Sequence, residues 1–279
     1  MITVKLQDGL GNQLFQYAVA RSLAIRRSTD VLLDTRSYTW QVLRTYGLDN
    51  FNIQARKGSK LQIAPYQFKV QHYRKKLFGS YSSRYIKEKS TRFDPSVLDL
   101  PDHVYLVGYF QSEQYFSDIA GTIREDFKLK DELPSHLLDI KKQMKSCNSV
   151  SIHVRRGDFV HLGLHVLPVE YYVRAIGRLR SELSDPVFFV FSDDPEWSKD
   201  NLPKGSSYIY VSDGKTRDFQ ELSLISHCLH HIIANSTFSW WGAWLNPDTE
   251  KKVIAPSVWF THNPELDATD IIPKSWSIM

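Results

Sequence analysis

Arg155 and Arg156 stand in the run His153-Val154-Arg155-Arg156-Gly157-Asp158, at the end of the apolar stretch Ser149 to Val154. A guanidinium at a strand end can grip a phosphate through two parallel hydrogen bonds, and an acid three residues after Arg155 can pair with it and hold the fork in place. Strand alternation sets His153 and Arg155 on one side and Val154 and Arg156 on the other, so one arginine serves a ligand and the other the structure. A surface ion pair is the alternative reading of this run. A second run, Asp8-Gly9-Leu10-Gly11-Asn12-Gln13, places a glycine turn ahead of a helix start, where free backbone N–H groups and the helix dipole favour an anion. It is neither the three-glycine dinucleotide fingerprint nor the phosphate loop ending in Gly-Lys and a hydroxyl residue, and a plain tight turn accounts for it equally well. The third run, Asn235-Ser236-Thr237-Phe238-Ser239-Trp240-Trp241-Gly242, follows the apolar pair Ile232-Ile233. Its hydroxyl residues suit an N-cap, and the N–H groups of such a helix start form a second anion site. Trp240, Trp241 and Trp244 read mainly as core packing.

The elements that must hold these runs alternate in the α/β manner. Ile2 to Leu6 alternates like a strand, and Gln7 to Gly11 supplies a tight turn. Leu14, Ala18, Ser22 and Ile25, widened by Phe15 and Val19, form one stripe, which predicts a helix from Asn12 to Arg27. Val31 to Leu33 is a second strand, and this order opens a domain with a parallel sheet. Thr35 to Pro101 is irregular, polar and basic. Val104 to Tyr109 reads as a strand and Gln114 to Glu125 as a helix. Leu129 to Ser146, charged and containing Pro134, reads as a crossing between domains. Beyond it, strands are predicted at Ser149 to Val154, Val187 to Phe191, Tyr208 to Val211, Ile232 to Ile233 and Val253 to Ala255. Helices are predicted at Val169 to Leu183, Phe219 to Leu229 and from the Asn235-Ser236-Thr237 cap through Trp244. All three runs fall where a parallel strand ends, which is where open α/β sheets bind ligands.

The 279 residues exceed what one core usually serves, and 42% hydrophobic, 13% aromatic and 24% charged residues exclude a disordered, collagen-like or coiled-coil chain. No run of about 18 apolar residues and no signal-peptide layout is present, so a cytoplasmic protein is expected. Cys147 and Cys228 are too few for a disulfide framework and lack zinc-site spacing. His227, His230 and His231 beside Cys228 lack a third nameable ligand and read as packing; no metal is expected. The net charge of +4 is local: Lys69, Arg74, Lys75, Lys76, Arg84, Lys87, Lys89 and Arg92 against Glu88 give +7 to the stretch 69–92 and leave −3 elsewhere. That stretch is either a solvated face or a peripheral patch for the inner face of the membrane or a lipid-linked acceptor. Nucleic acid is not expected, because no binding motif accompanies it.

The second run from Gly9 to Gln13, the arginine run and the segment Asn235 to Gly242 resemble, in order and spacing, the bacterial α-1,2-fucosyltransferases of glycosyltransferase family 11. Gly108-Tyr109-Phe110-Gln111-Ser112-Glu113 and Leu167-Pro168 with Tyr171-Tyr172 resemble further family segments, so the likeness spans most of the chain. It implies an α/β fold of GT-B type, two Rossmann-like domains facing a cleft: residues 1–135 on the acceptor side, 146–265 binding GDP-fucose, and a tail, 266–279, packing back on the N-terminal domain. It implies inverting transfer of fucose from GDP-fucose to the 2-hydroxyl of a terminal β-galactoside, as in O-antigen assembly, without a divalent metal. Another linkage, α-1,6 or protein-linked, and a non-catalytic carbohydrate- or nucleic-acid-binding module remain the alternatives.

In such a transfer, charge builds on the outer phosphate of the departing diphosphate. Arg155 and the N–H groups at Ser236 and Thr237 can meet it, while Asp193 and Asp194 raise the alternative of a bound ion. Resemblance to the wider fucosyltransferase superfamily puts Arg155 on the β-phosphate, His153 near the ribose or base, Ser236 and Thr237 at the phosphates, and Glu221 where an aspartate reads guanine. The donor-binding set is thus Gly9, Gly11, Asn12, Gln13, His153, Arg155, Asp193, Glu221, Asn235, Ser236 and Thr237; the catalytic set is Arg155, Asp158 and Asn12. Asn12 and Gln13 meet either the donor phosphates or the acceptor. Asp8, Asp158 and Glu113 are open candidates for a base, with Asp158 better suited to orienting Arg155.

Overall fold

The computed structural model describes residues 1–40, 43–66, 68–78, 84–161, 163–260 and 266–279, so the basic stretch 69–92 lies partly outside the described residues. The chain forms two units: Met1–Lys130 with Asp267–Ile271, and Asp131–Leu266 with Ile272–Met279. The tail expected on the N-terminal domain, 266–279, therefore divides, Asp267–Ile271 grouping with the first unit and its other residues with the second.

In the first unit, β1 (Ile2–Lys5) leads into α1 (Leu10–Arg26) and back to β2 (Val31–Asp34). Then follow β3 (Arg56–Lys57), α2 (Lys60–Ile63), α3 (Phe68–Phe78), β4 (Tyr85–Lys87), β5 (Tyr105–Val107) and α4 (Ala120–Asp126). Five parallel strands lie in the order β3-β2-β1-β5-β4. The predicted α1 stripe forms the buried face: Leu14, Phe15, Ala18 and Val19 are fully buried, although Ile25 is 38% exposed. Where the sequence predicts one helix over Gln114 to Glu125, two short 3-10 turns, Glu113–Tyr115 and Ser117–Ile119, precede α4.

The second unit begins with α5 (Ser135–Lys145), within the segment read as a crossing. It continues with β6 (Ser149–Val154), α6 (Gly157–His161), α7 (Val169–Glu182), β7 (Val187–Ser192), α8 (Pro195–Asn201) and β8 (Tyr208–Tyr210). It ends with α9 (Asp218–Ile225), β9 (His230–Ile232), α10 (Thr237–Leu245), β10 (Val253–Ala255) and β11 (Ser277–Ile278). Its strands are parallel and ordered β11-β10-β9-β6-β7-β8, the doubly wound arrangement whose order reverses beside its first strand. All six residues of β6 are buried, as a strand covered on both faces requires. Trp240 and Trp241 are fully buried with rings 5.0 Å apart, and Trp240 also meets Trp276 of the tail at 5.5 Å, in keeping with their packing role.

Candidate functional site

In the second unit the reversal lies between β6 and β9. These strands pair from Val150 opposite His230 to Ile152 opposite Ile232, so the chains after Val154 and after Ala234 leave the sheet side by side. Tyr171 of α7 pins the second of these exits by donating to the Ile233 carbonyl at 2.7 Å. Arg155 and Arg156 sit just past β6, half-buried. Arg155 Nη1 pairs with Asp193 Oδ2 at 2.8 Å, and Asp193 Oδ1 accepts the Arg156 backbone N–H at 2.8 Å. Arg156 turns the other way, to Asp194 at 3.3 Å and over the Trp197 ring at 4.0 Å. Asp194 also caps α8 by accepting from Trp197 N–H. The two arginines thus divide, Arg155 to Asp193 and over the Phe159 ring at 5.2 Å, Arg156 to Asp194 and the packing of α8.

Among the described residues, a carboxylate at Arg155 is that of Asp193, just past the end of the neighbouring strand β7. The side chain of Asp158, expected there, lies outside the described residues, although its backbone belongs to α6. Gly157 is required by the approach: a Cβ on it would stand 2.7 Å from Asp193 Oδ2.

His153 is buried against the Phe238 ring at 5.3 Å, and its Nδ1 has no hydrogen-bond partner among the described residues. Burial drives its pKa down to about 4, with Asp193 opposing and Arg155 assisting, so the imidazole is neutral around pH 7. Ser236 is the N-cap of α10, yet its side chain makes no capping hydrogen bond, contrary to the capping reading. Asn235 spends its amide nitrogen on the carbonyls of His165 (3.0 Å) and Trp259 (3.3 Å), while its buried Oδ1 has no partner among the described residues. Glu221, in the first turn of α9, has its pKa raised to about 7, chiefly by burial and further by Asp213, Asp218 and Asp193, against a hydrogen bond from Ser212.

In the first unit the reversal lies between β1 and β5, and the glycine run enters α1 there. The left-handed residue of the turn is Asp8, at φ 64, and not a glycine. Gly9 is the N-cap of α1 and Gly11 lies within its buried first turn. Asp8 Oδ2 accepts the Tyr109 hydroxyl at 2.5 Å, and Asn12 Oδ1 accepts Gln111 Nε2 at 2.9 Å. Burial, then Asp8, push the Tyr109 pKa up, so the phenol remains a donor. Gln13, expected at a ligand, is fully buried and committed elsewhere: Nε2 donates to the Asp8 and Thr45 carbonyls, and Oε1 accepts Gly47 N–H at 2.9 Å. It staples a loop to the turn.

The family model described as Glycosyl transferase family 11 matches residues 1–278. The chain belongs to this family. It is 32% identical to an alpha-1,2-colitosyltransferase of Escherichia coli, over 99% of this chain and 98% of that protein. It is 31% identical to the O-antigen biosynthesis glycosyltransferase WbnK of Escherichia coli, over 92% and 94%. Among solved structures, the fucosyltransferase NodZ from Bradyrhizobium shares the fold at TM-score 0.55 and 14% identity, covering 88% of this chain and 93% of that one. The architecture is GT-B, with two parallel sheets.

Within this family 11 glycosyltransferase, His153 and Arg155 lie at the end of β6 and Asn235 and Ser236 just past β9, the strands that flank the second reversal, while Asp193 follows β7 and pairs with Arg155. Gly9, Gly11, Asn12 and Gln13 gather at the first. Sequence reasoning did not single out Tyr109 and Gln111 as partners of Asp8 and Asn12; their only signal was the family-like segment that contains them. Among the described residues no group of three or more His, Cys, Asp or Glu is disposed around a common point for a metal. His231, from the histidine cluster, lies between Ser151 Oγ at 2.8 Å and Asn246 Nδ2 at 3.2 Å.

Proposed function

We propose that this glycosyltransferase transfers L-fucose from GDP-fucose to the 2-hydroxyl of a terminal β-galactoside, with inversion at C1, in the assembly of O-antigen or a related surface glycan. The observation that carries the reading is Arg155, fixed by Asp193 next to a helix start whose N-cap side chain is uncommitted. The names of the relatives support the linkage and the glycan class, and the family supports the nucleotide sugar. In this reading the bond from fucose C1 to the β-phosphate oxygen breaks, the acceptor oxygen bonds to C1 from the opposite face, and the acceptor proton leaves to solvent or a base.

Arg155 meets the charge developing on the β-phosphate, and the N–H groups and hydroxyls at Ser236 and Thr237 meet the remaining phosphate oxygens. Neutral His153 offers its open Nδ1 towards the ribose or base. Glu221, as carboxylate, accepts N1–H and the exocyclic amine of guanine. Asn235 holds the strand exit, Asp193 and Asp158 orient the arginine, and Gly9, Gly11 and Asn12 present polar groups from the first unit. No divalent ion is assigned a role.

Colitose is a second reading for the donor sugar, favoured by the colitosyltransferase relative. A panel of galactose-terminated acceptors with GDP-fucose and GDP-colitose, each with and without chelator, tests donor, acceptor and metal together. Transfer of neither sugar to any galactoside would overturn the proposal, and loss of activity with chelator would overturn its metal-independence.

The location proposed is the cytoplasm at the inner membrane face. Among the described residues no helix is long and apolar enough to cross a membrane. α3 exposes Val70, Tyr73, Leu77 and Phe78 beside the exposed cations Arg74, Lys75 and Lys76, a composition suited to an anionic interface. Co-sedimentation with anionic but not zwitterionic vesicles is the expected result; failure to bind either would remove the membrane from the reading.

A further inference from the structure

Glu88 follows β4 and takes no part in the chemistry assigned above. Its two carboxylate oxygens accept successive backbone N–H groups of the turn after β5, Oε2 from Tyr109 at 2.6 Å and Oε1 from Phe110 at 2.8 Å. Its own N–H donates to the Val107 carbonyl at 2.8 Å, so the end of β4 and the end of β5 are locked together. Gly108 admits the carboxylate: a Cβ there would stand 2.3 Å from Glu88 Cβ and 2.6 Å from Oε2. Phe110 is held in the left-handed region, at φ 53, which a bulky residue avoids unless its surroundings impose it. Glu88 also lines a cavity of about 140 Å³ with Val97, Leu100, Phe110 and Tyr115, and burial raises its pKa while the two N–H groups lower it.

The clamped turn carries the side chains that reach the glycine run. Tyr109 donates to Asp8 and Gln111 to Asn12, and the Gly108 carbonyl accepts Gln16 Nε2 at 3.2 Å. A carboxylate is suited to this task because each oxygen can take one of two adjacent N–H groups. An amide of the same shape takes only one and sets its NH₂ against the other.

We propose that Glu88 is a positioning residue for sugar transfer: by clamping the Gly108–Gln111 turn it sets Tyr109 and Gln111, and through them aims Asp8 and Asn12 at the hydroxyl-bearing sugar of the acceptor. The inference rests on the transferase reading and on the first unit as the acceptor side. It assigns a specificity element to a half-buried carboxylate two hydrogen bonds from the glycine run.

The test compares Glu88→Gln, the pair Tyr109→Phe/Gln111→Ala, and all three changes combined. For each, acceptor KM and kcat are measured at saturating donor, with GDP affinity by calorimetry and thermal denaturation alongside. Glu88→Gln is expected to lower kcat/KM for the acceptor by about 10- to 100-fold, as a displaced polar group does, with GDP affinity within about twofold of the parent. The pair is expected to show the same defect, and adding Glu88→Gln to it should cost no further activity. A merely structural Glu88 would lower the melting temperature yet leave the kinetic constants of the folded fraction, and that result overturns the proposal. Additive losses, or a parallel loss of GDP affinity, overturn it as well. If Glu88→Gln does not fold, the pair decides alone: normal acceptor kinetics overturn the idea. The parent's turnover with GDP-fucose or GDP-colitose is measured first, so failure of the donor reading is seen separately, and the same comparison runs with whichever donor is active.

Discussion

The two sheets reverse their strand order in the same way, yet the polar groups gathered at the two reversals behave differently. At the first, between β1 and β5, amides, a phenol and the Asp8 carboxylate are joined to partners, Tyr109 with Asp8, Gln111 with Asn12 and Gln13 with three backbone groups, and the Arg44 side chain lies beside Gly9. Around the second, at the ends of β6, β7 and β9, a guanidinium pairs with the Asp193 carboxylate, a buried imidazole nitrogen has no partner among the described residues, and an N-cap side chain caps nothing. Common topology supplies the place, and side-chain chemistry decides the ligand. Under the proposed function, the first reversal would direct hydrogen bonds at hydroxyl groups and the second would meet an anion.

The contrast would be broken first at Arg155. Arg155→Ala is expected to cut transfer by about 10² to 10³-fold with the fold retained by circular dichroism, since a charge aimed at the leaving group acts mainly in the transition state. Turnover within about tenfold of the parent would remove the phosphate role. Asp193→Asn keeps an acceptor for the Arg156 N–H but removes the charge that fixes Arg155. A loss of about 10- to 100-fold in kcat is expected, and unchanged kinetics would show that Arg155 needs no such support.

Glu221 sharpens the contrast through pH. Its pKa of about 7 in the free protein means that acidification converts it, the guanine acceptor of the proposed function, to a carboxylic acid. GDP affinity measured by calorimetry should therefore fall by about tenfold between a plateau above pH 8 and pH 6, and Glu221→Gln should flatten that slope. The sign for stability is opposite. A carboxyl whose folded pKa exceeds its unfolded one makes the unliganded protein lose stability as pH rises from the usual carboxylate range towards 7. The smallest effect on nucleotide binding belongs to Gln13→Ala. It should cost about 1–3 kcal/mol of stability by orphaning buried backbone groups, while GDP affinity stays within about twofold. A large loss of GDP affinity would return Gln13 to the donor site.

Most strands and helices of both sheets were legible because their burial is periodic or continuous; Ser149–Val154 was predicted to the residue. Those missed carry no such signal. β3 is two exposed residues, Arg56 and Lys57, paired through backbone alone, and α3 buries only Gln71 among residues 70–78. At the site, Arg155, His153 and Ser236 could be found because strand ends and helix starts have sequence marks. The partnership of Arg155 with Asp193 could not, because it joins neighbouring strands through space and a nearer acid, Asp158, competes for it in sequence. The fate of Gln13 was hidden for the same reason: the Thr45 carbonyl and Gly47 N–H that it binds belong to a loop more than 30 residues away.

Ser236 heads α10 without capping it, and a good cap contributes about 1 kcal/mol of stability. The empty enzyme leaves that increment unmade, and the occupied one can regain it from its ligand. Ligand at a hundred times its Kd adds about 2.7 kcal/mol to the folded state by mass action. Heat tolerance of the second unit then becomes a property of the nucleotide pool as much as of the chain. If the proposed donor binds at this helix start, the protein's resistance to heat and protease should rise with donor concentration.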